Sequence, residues 1–320
     1  MAMAVRAQLV GIDVSKAELV ICQGPKSPPR IVANEKPAIR AWLSEFAQQA
    51  CLALEATSTY HLEVLEQAYQ RGHTVYVIDG FRLNRYRESV GGRAKTDASD
   101  AQLLWRYLDR EQDQLRPWSP PSAGYRQVQQ LLRRRATLVR AKVALEQSLS
   151  GLPELKQASR TLYRQLAHLD ALIQKRLFQT LRDHGWEADL QRCQAIEGIG
   201  PLTAAALNMA FRRGQFASSD AFIAFMGLDV RVRDSGKSRG RRRLTKQGDP
   251  ELRRLLHLAA MQASRSATWR PFYQRHLDRG LSKIQSLVIL ARKLARVAFA
   301  LLKNQSEYRP NIPHEACVET

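Results

Sequence analysis

Four acidic residues among the first hundred positions have the types and placement for divalent-metal chemistry. Asp13 closes an apolar stretch, Gln8 to Asp13, that reads as a buried strand, and Glu55 directly follows another, Cys51 to Leu54. Carboxylates at strand ends emerge at the edge of a sheet, where they can converge without a burial cost. Asp97 and Asp100 stand three apart in a predicted helix, Asp97 to Arg106, so they share one face. Four carboxylates drawn together repel one another unless a cation compensates them, and an oxygen-only ligand set favours magnesium or manganese. Two such ions about 4 Å apart could clamp the attacking and leaving oxygens of a phosphodiester. Taken singly, each acid reads as a surface cap or an ion-pair partner; as an ordered set on one mixed sheet they read as metal ligands. Arg93 and Lys95, just upstream of the third acid, are candidate phosphate contacts.

A second constellation is basic. Residues 231–246 carry Arg231, Arg233, Lys237, Arg239, Arg241, Arg242, Arg243 and Lys246 against Asp234 alone, interleaved with Ser235, Gly236, Ser238 and Gly240. Such a loop cannot bury itself and calls for a phosphate-rich surface; the alternative is a solvated charged loop. A serine hydroxyl among arginines becomes a nucleophile only if a metal or base activates it and cations offset the phosphoryl charge. Nothing nearby in sequence is a base, so on residues alone Ser235 reads as a turn residue, with Ser238 its neighbouring competitor for a nucleophile's role. Upstream, Gly198 and Gly200 make a tight turn before the small-residue helix Leu202 to Ala210. In this helix-hairpin-helix pattern, backbone N–H groups at a helix N-terminus favour phosphate. A turn between packed helices is the alternative.

The elements that must hold these groups change character along the chain. After the first strand, Glu18 to Cys22 is close enough for a hairpin, and Ile31 to Ala33 adds a third strand. Pro37 opens a helix with Ile39, Leu43 and Phe46 on one face; Thr57 to Arg71 is predicted helical, and Thr74 to Ile78 is a fifth strand. Strands and helices alternating after a hairpin imply a mixed sheet covered by helices. From Tyr125 to Gly151 a long helix repeats Leu131, Leu138 and Leu145 every seven residues, and a second apolar run follows from Leu155 to Leu181. Two helices joined near Pro153 make an antiparallel hairpin or a dimerisation arm, with an internal bundle as the alternative. Further helices are predicted at Ala221 to Met226, at Glu251 to Arg265 with Asp249 as N-cap and Pro250 at the first turn, and at Lys283 to Lys303.

Charge divides the chain in the same place. Of 320 residues, the first 120 hold 15 basic and 14 acidic side chains, and the remaining 200 hold 35 and 16, a net of +19. A field of that size attracts a polyanion, through counterion release if it is nucleic acid. Cys22, Cys51, Cys193 and Cys317 show no paired spacing, which argues against a disulfide framework or zinc ribbon and for a reducing, cytoplasmic setting. The most apolar late stretch is broken by Arg292, Lys293 and Arg296, so no membrane partner is expected.

The segments Gly11-Ile12-Asp13-Val14-Ser15-Lys16, Glu55-Ala56-Thr57-Ser58-Thr59-Tyr60 and Lys95-Thr96-Asp97-Ala98-Ser99-Asp100-Ala101 resemble the three acidic motifs of the IS-one-ten (IS110) insertion-sequence family. The later half is similar too, at Gly198-Ile199-Gly200, Phe222 to Leu228, Asp234-Ser235-Gly236, Lys246 to Gly248 and Leu252-Arg253-Arg254, so the likeness runs from about residue 8 to 305. Glycine is usual where Ser58 stands, and proline where Glu197 stands. The resemblance implies a DEDD-type transposase whose four acids, here Asp13, Glu55, Asp97 and Asp100, bind magnesium. It implies that Ser235 is the nucleophile of a covalent phosphoserine link to DNA. It further implies guidance by a structured noncoding bridge RNA pairing with donor and target DNA. Family members work as tetramers assembled from dimers, the acidic domain of one subunit completing the serine site of another.

Together these readings give an α/β RNase H-like (RuvC-like) domain with a mixed sheet at 1–120, a helical coiled-coil segment at 121–190, and a mostly α-helical transposase domain at 191–320. The expected function is RNA-guided, magnesium- or manganese-dependent DNA strand cleavage and exchange in a bacterial cytoplasm, associated with the nucleoid when bound to DNA. Two alternatives are a RuvC-like junction-resolving or hydrolytic nuclease in which water attacks, and a non-enzymatic nucleic-acid-binding scaffold.

Overall fold

The structure, a computed structural model, describes residues 7–25, 27–91, 96–232, 234–235, 238–240 and 242–310, with the backbone alone at 235, 238 and 239. It divides into two compact units, 1–120 and 121–320.

The first unit is a five-stranded mixed sheet of β1 (Gln8–Val14), β2 (Glu18–Cys22), β3 (Arg30–Ala33), β4 (Ala50–Glu55) and β5 (Thr74–Ile78), in the order β3-β2-β1-β4-β5. The first three strands form an antiparallel meander, and β4 and β5 run parallel to β1. Alternation then sorts the side chains of β1. Val10, Ile12 and Val14 face a core closed by α1 (Lys36–Leu43) and α2 (Leu62–Gln70). Gly11 and Asp13 face the other side, as do Cys51 and Ala53 of β4, which pack against α3 (Gly80–Ser89) and α4 (Asp97–Glu111). The helix α4 lies directly on β1: a Cβ on Gly11 would collide with the backbone of Ala101 and Trp105. Only glycine permits that approach.

The predicted helix from Thr57 begins later, at Leu62. Ser58 takes a φ of 48°, in the left-handed region, and a helix cannot pass through it.

The second unit is helical. Its two longest helices, α5 (Ala123–Ser148) and α6 (Lys156–Asp183), pack along each other with a turn at Gly151, and Arg135 pairs with Asp170 at 2.9 Å midway. Their open ends join the main core through Tyr125, Val128, Leu177 and Leu181. That core also takes in α7 (Glu187–Gln194), α8 (Pro201–Arg213), α9 (Ser219–Phe225), α10 (Pro250–Ala263) and α12 (Lys283–Asn304), with α11 (Arg270–Asp278) against α12. Glu197 ties three segments together. It accepts hydrogen bonds from Thr268 Oγ1 at 2.6 Å, Trp269 Nε1 at 3.2 Å and Tyr308 OH at 2.7 Å.

The basic stretch is not an open loop throughout. β6 (Val230–Arg231) pairs with β9 (Arg243–Leu244), and inside them β7 (Asp234–Ser235) pairs with β8 (Ser238–Arg239). No helix among the described residues is long and apolar enough to cross a membrane.

Candidate functional site

The acids of the first unit are brought together by register and packing. Ile12 pairs with Leu54 across parallel strands, so Asp13 and Glu55 follow side by side at the same end and on the same face of the sheet. That face is the one α4 covers, and Asp97 and Asp100 occupy the first turn of α4. A capping box fixes this turn: Thr96 accepts from Ser99 N, and Ser99 Oγ accepts from Thr96 N at 2.9 Å.

Electrostatics report the convergence. Partial burial, and after it the negative charges of Asp100, Asp97 and Glu55, together raise the pKa of Asp13 to about 6. One carboxylate therefore feels the other three. Two of its neighbours are held by other groups. Asp100 pairs with Arg87 of α3 at 2.8 Å, both side chains largely buried. Glu55 lies against the N-terminus of α3, where a Cβ on Gly80 would meet its Oε1, and the helix dipole favours a carboxylate there. Among the described residues no three such side chains already converge as they would around an ion. The donor set itself, four carboxylates and no sulfur or nitrogen, suits a hard divalent cation.

The ribbon of the second unit is clamped rather than buried. Asp234, immediately before Ser235, accepts two hydrogen bonds from Arg242, at 2.9 and 2.8 Å, and one from Gly240 N at 3.1 Å. The bond from Arg242 holds its carboxyl below the usual carboxylate range. In the register Ser235 lies opposite Ser238, with Asp234 opposite Arg239. The base of the ribbon is pinned from below. Arg253 Nη1 donates to the carbonyls of Gly248 at 2.8 Å and Met226 at 3.2 Å. Gly227, with a φ of 68°, leaves no room for a Cβ beside Gln247.

Two family descriptions match this chain. A DEDD transposase description of the IS110 type covers residues 10–158, and one for transposases of the IS116/IS110/IS902 family covers 190–274. The chain belongs to the IS110 family of transposases. It is thus an enzyme of the class that acts on DNA. Curated relatives agree along most of its length. A probable family 20 transposase of Pseudomonas aeruginosa is 28% identical over 94% of this chain and 98% of its own. A pilin gene-inverting protein of Moraxella bovis is 27% identical over 82% and 83%. The transposase of insertion sequence element IS1111A from Coxiella burnetii is 26% identical over 94% and 91%.

Within this IS110 frame the predicted phosphate contacts fall in different settings. Arg242 and Arg243 are exposed, Arg242 being committed to Asp234, while Arg231 is half-buried in β6. Lys246 is exposed, with a φ of 57°. Gly200 is the exposed N-cap of α8; Gly198 instead packs on α10, where a Cβ would lie 2.5 Å from the carbonyl oxygen of Ala259. Arg93, Lys95, Arg233, Lys237 and Arg241 lie outside the described residues, as do the side chains of Ser235 and Arg239. Arg87 escaped sequence reasoning, and Arg253 entered it only within the Leu252-Arg253-Arg254 resemblance, with no role of its own. Two of the positions that depart from the family pattern have local accounts. Ser58 occupies a backbone conformation that glycine tolerates best, and Glu197 makes three hydrogen bonds that a proline could not.

Proposed function

We propose that this transposase cuts and rejoins donor and target DNA through a phosphoserine at Ser235, with divalent-metal chemistry at Asp13, Glu55, Asp97 and Asp100 and a structured bridge RNA as guide. The observation that supports the metal part of this reading is the placement of Asp13 and Glu55 at the same end and face of adjacent parallel strands, the face covered by the helix whose first turn carries Asp97 and Asp100. Magnesium is the ion the resemblance favours, with manganese a chemical equivalent. The antiparallel meander extended by two parallel strands supports an RNase H-like assignment for residues 1–120. The paired long helices support a coiled-coil arm, consistent with tetramers built from dimers.

A divalent ion held by the four acids would offset charge on the phosphoryl group and favour ionisation of an attacking hydroxyl. The chain's own contribution begins with Ser235 Oγ, which attacks phosphorus, forms the phosphoserine ester and loses its proton. The bond from phosphorus to the deoxyribose oxygen breaks, and that oxygen leaves as a hydroxyl after taking up a proton. Reversal with a different strand's hydroxyl rejoins DNA, so no external energy source is consumed. The Asp234–Arg242 clamp fixes the backbone beside the nucleophile, and the exposed arginines of the ribbon offset phosphate charge.

Denaturing gels of the native chain with its cognate DNA and copurified RNA test this. Strand ends that remain attached to protein are expected, and Ser235→Ala should abolish the attachment while DNA binding persists. Free ends from the native chain would establish hydrolysis by water instead. An adduct surviving in Ser235→Ala would exclude that serine. Mixing Asp13→Asn with Ser235→Ala chains should restore product if different copies supply acids and serine. Absence of bound RNA in the chain expressed from its native locus would remove guidance from the proposal.

A further inference from the structure

Beside the acidic centre the first unit carries a cleft of about 720 Å³ that none of the chemistry above uses. It runs between the end of α3 and the outer side of α4, with Pro25 at its margin, and its size falls within the range of small-ligand sites. Its floor is apolar, from Val90, Leu103 and the half-buried Trp105. Its rim is cationic: Arg106 and Arg110 are both exposed, one helical turn apart and so displaced by about 6 Å along α4. Asp109 is the one carboxylate among the lining residues, and Arg110 stands 3.7 Å from it. An aromatic floor with cations at one-turn spacing is the combination that holds single-stranded nucleic acid, bases stacking while phosphates meet the rim.

The position of the cleft selects the strand. Arg87 and Ser99 line it, and these two adjoin the acidic centre, Arg87 through its ion pair with Asp100 and Ser99 through the cap of the same helical turn. A strand whose phosphodiester lies at the acids would therefore continue over Ser99 toward Arg106 and Arg110. The geometry points to this cleft as the track for a single-stranded DNA segment flanking the cut, with Trp105 as a stacking platform and Arg106 and Arg110 as phosphate contacts. This assignment rests on the reading of the four acids as the DNA-cleavage centre.

Photocrosslinking tests it with the full chain carrying Ser235→Ala, which removes covalent attachment. The probe is a short single-stranded DNA oligonucleotide with 5-iodouracil at successive positions, and adducts are located by peptide mass spectrometry. An adduct on the Trp105 peptide is expected, and it should fall severalfold in the Arg106→Glu, Arg110→Glu double variant while adducts in residues 121–320 persist. In a binding titration the same variant should flatten the dependence of log affinity on log salt by about 1.4, the share of two single-strand phosphates. Because both arginines are exposed, the variant should keep its fold, which circular dichroism checks. No adduct in the first unit, or an adduct and salt slope indifferent to charge reversal, would overturn the assignment. So would stronger labelling of Trp105 by the matching 5-iodouridine RNA. Trp105 labelling combined with no covalent product from the native chain would instead sink the cleavage reading and leave the cleft standing.

Discussion

The acidic centre and the basic ribbon are held by opposite means. In the first unit, adjacent parallel strands fix Asp13 and Glu55, and a capped helix laid on Gly11 fixes Asp97 and Asp100. In the second, Ser235 belongs to a strand of two residues, and a carboxylate–guanidinium clamp next to it replaces the sheet. The difference follows from cost. Carboxylates that repel one another drift apart unless a stiff frame holds them, and the raised pKa of Asp13 records its burial first and that repulsion second. A neutral hydroxyl repels nothing, so a small ribbon suffices to place it.

The largest effect should come from relieving the repulsion. Asp13→Asn is expected to lower strand cleavage by roughly 10³-fold, as loss of a central electrostatic group does, while making the metal-free chain more stable. The sign follows from its pKa of about 6 against an ordinary 3.8. Between those values the folded chain holds a proton that the unfolded chain has released, so stability falls as pH rises through that window. At neutral pH the penalty amounts to about 1 kcal/mol once solvent screening of a half-exposed group is allowed for. Thermal melts with chelator at pH 5 and pH 7.5 check this: the native chain should lose stability between them relative to the variant. Equal behaviour would mean that Asp13 is neither buried nor in the field of the other three acids. Apparent affinity for a divalent ion, measured by titration, should drop about tenfold per unit below pH 6, because the ion must displace that proton.

The ribbon should fail differently. Asp234→Asn keeps the shape but weakens the charged clamp to Arg242, and misplacement of the neighbouring serine should cost up to about 10²-fold in covalent product. DNA affinity should hold, because the cations remain. A variant that loses binding and product in parallel would show that Asp234 organises the DNA surface rather than the nucleophile.

Sequence reasoning reached the first region better than the second for a physical reason. Each strand of the mixed sheet is an apolar run closed by a polar break, and the third motif sets its two acids three apart in a predicted helix, so the four acids could be assigned to elements before any coordinates. The helix α3 buries Leu83 alone, and α11 buries no residue, so neither has a periodicity to read. With α3 unseen, the hold of Arg87 on Asp100 was unseen too. Strands of two residues leave no alternation either, and the clamp between Asp234 and Arg242 exists only once the chain has folded back. Ser235 entered through its family motif, not through any property of the loop.

Smaller effects sharpen the contrast within the second unit. Glu197 is half-buried; burial raises its pKa, but bonds from Thr268, Tyr308 and Trp269 outweigh this and the net shift is downward. It therefore contributes stability that is present above the ordinary glutamate pKa of 4.5 and is lost as pH falls through the lowered value. Glu197→Gln exchanges an acceptor oxygen for a donor facing other donors, and should cost about 1 kcal/mol in urea unfolding at pH 7, with less difference at pH 4. A gap that does not narrow in acid would mean that packing, not charge, makes this residue a hub.

The smallest expected change is a gain, and it lies in the turn that follows Glu55. Holding a non-glycine residue in the left-handed region costs about 1–2 kcal/mol, and Ser58 pays this at a φ of 48°. Glycine would remove the strain but enlarge the conformational freedom of the unfolded chain, which returns about 0.4–1 kcal/mol. Ser58→Gly should therefore stabilise the chain by about 0.5 kcal/mol, read as a higher urea midpoint at an unchanged slope. If stability rises while cleavage stays level, the turn serves only to end β4 and launch α2. If cleavage falls as stability rises, Ser58 holds Glu55 in a strained but productive place. The acidic centre would then share with the serine ribbon a dependence on local backbone geometry that its stiff frame otherwise spares it.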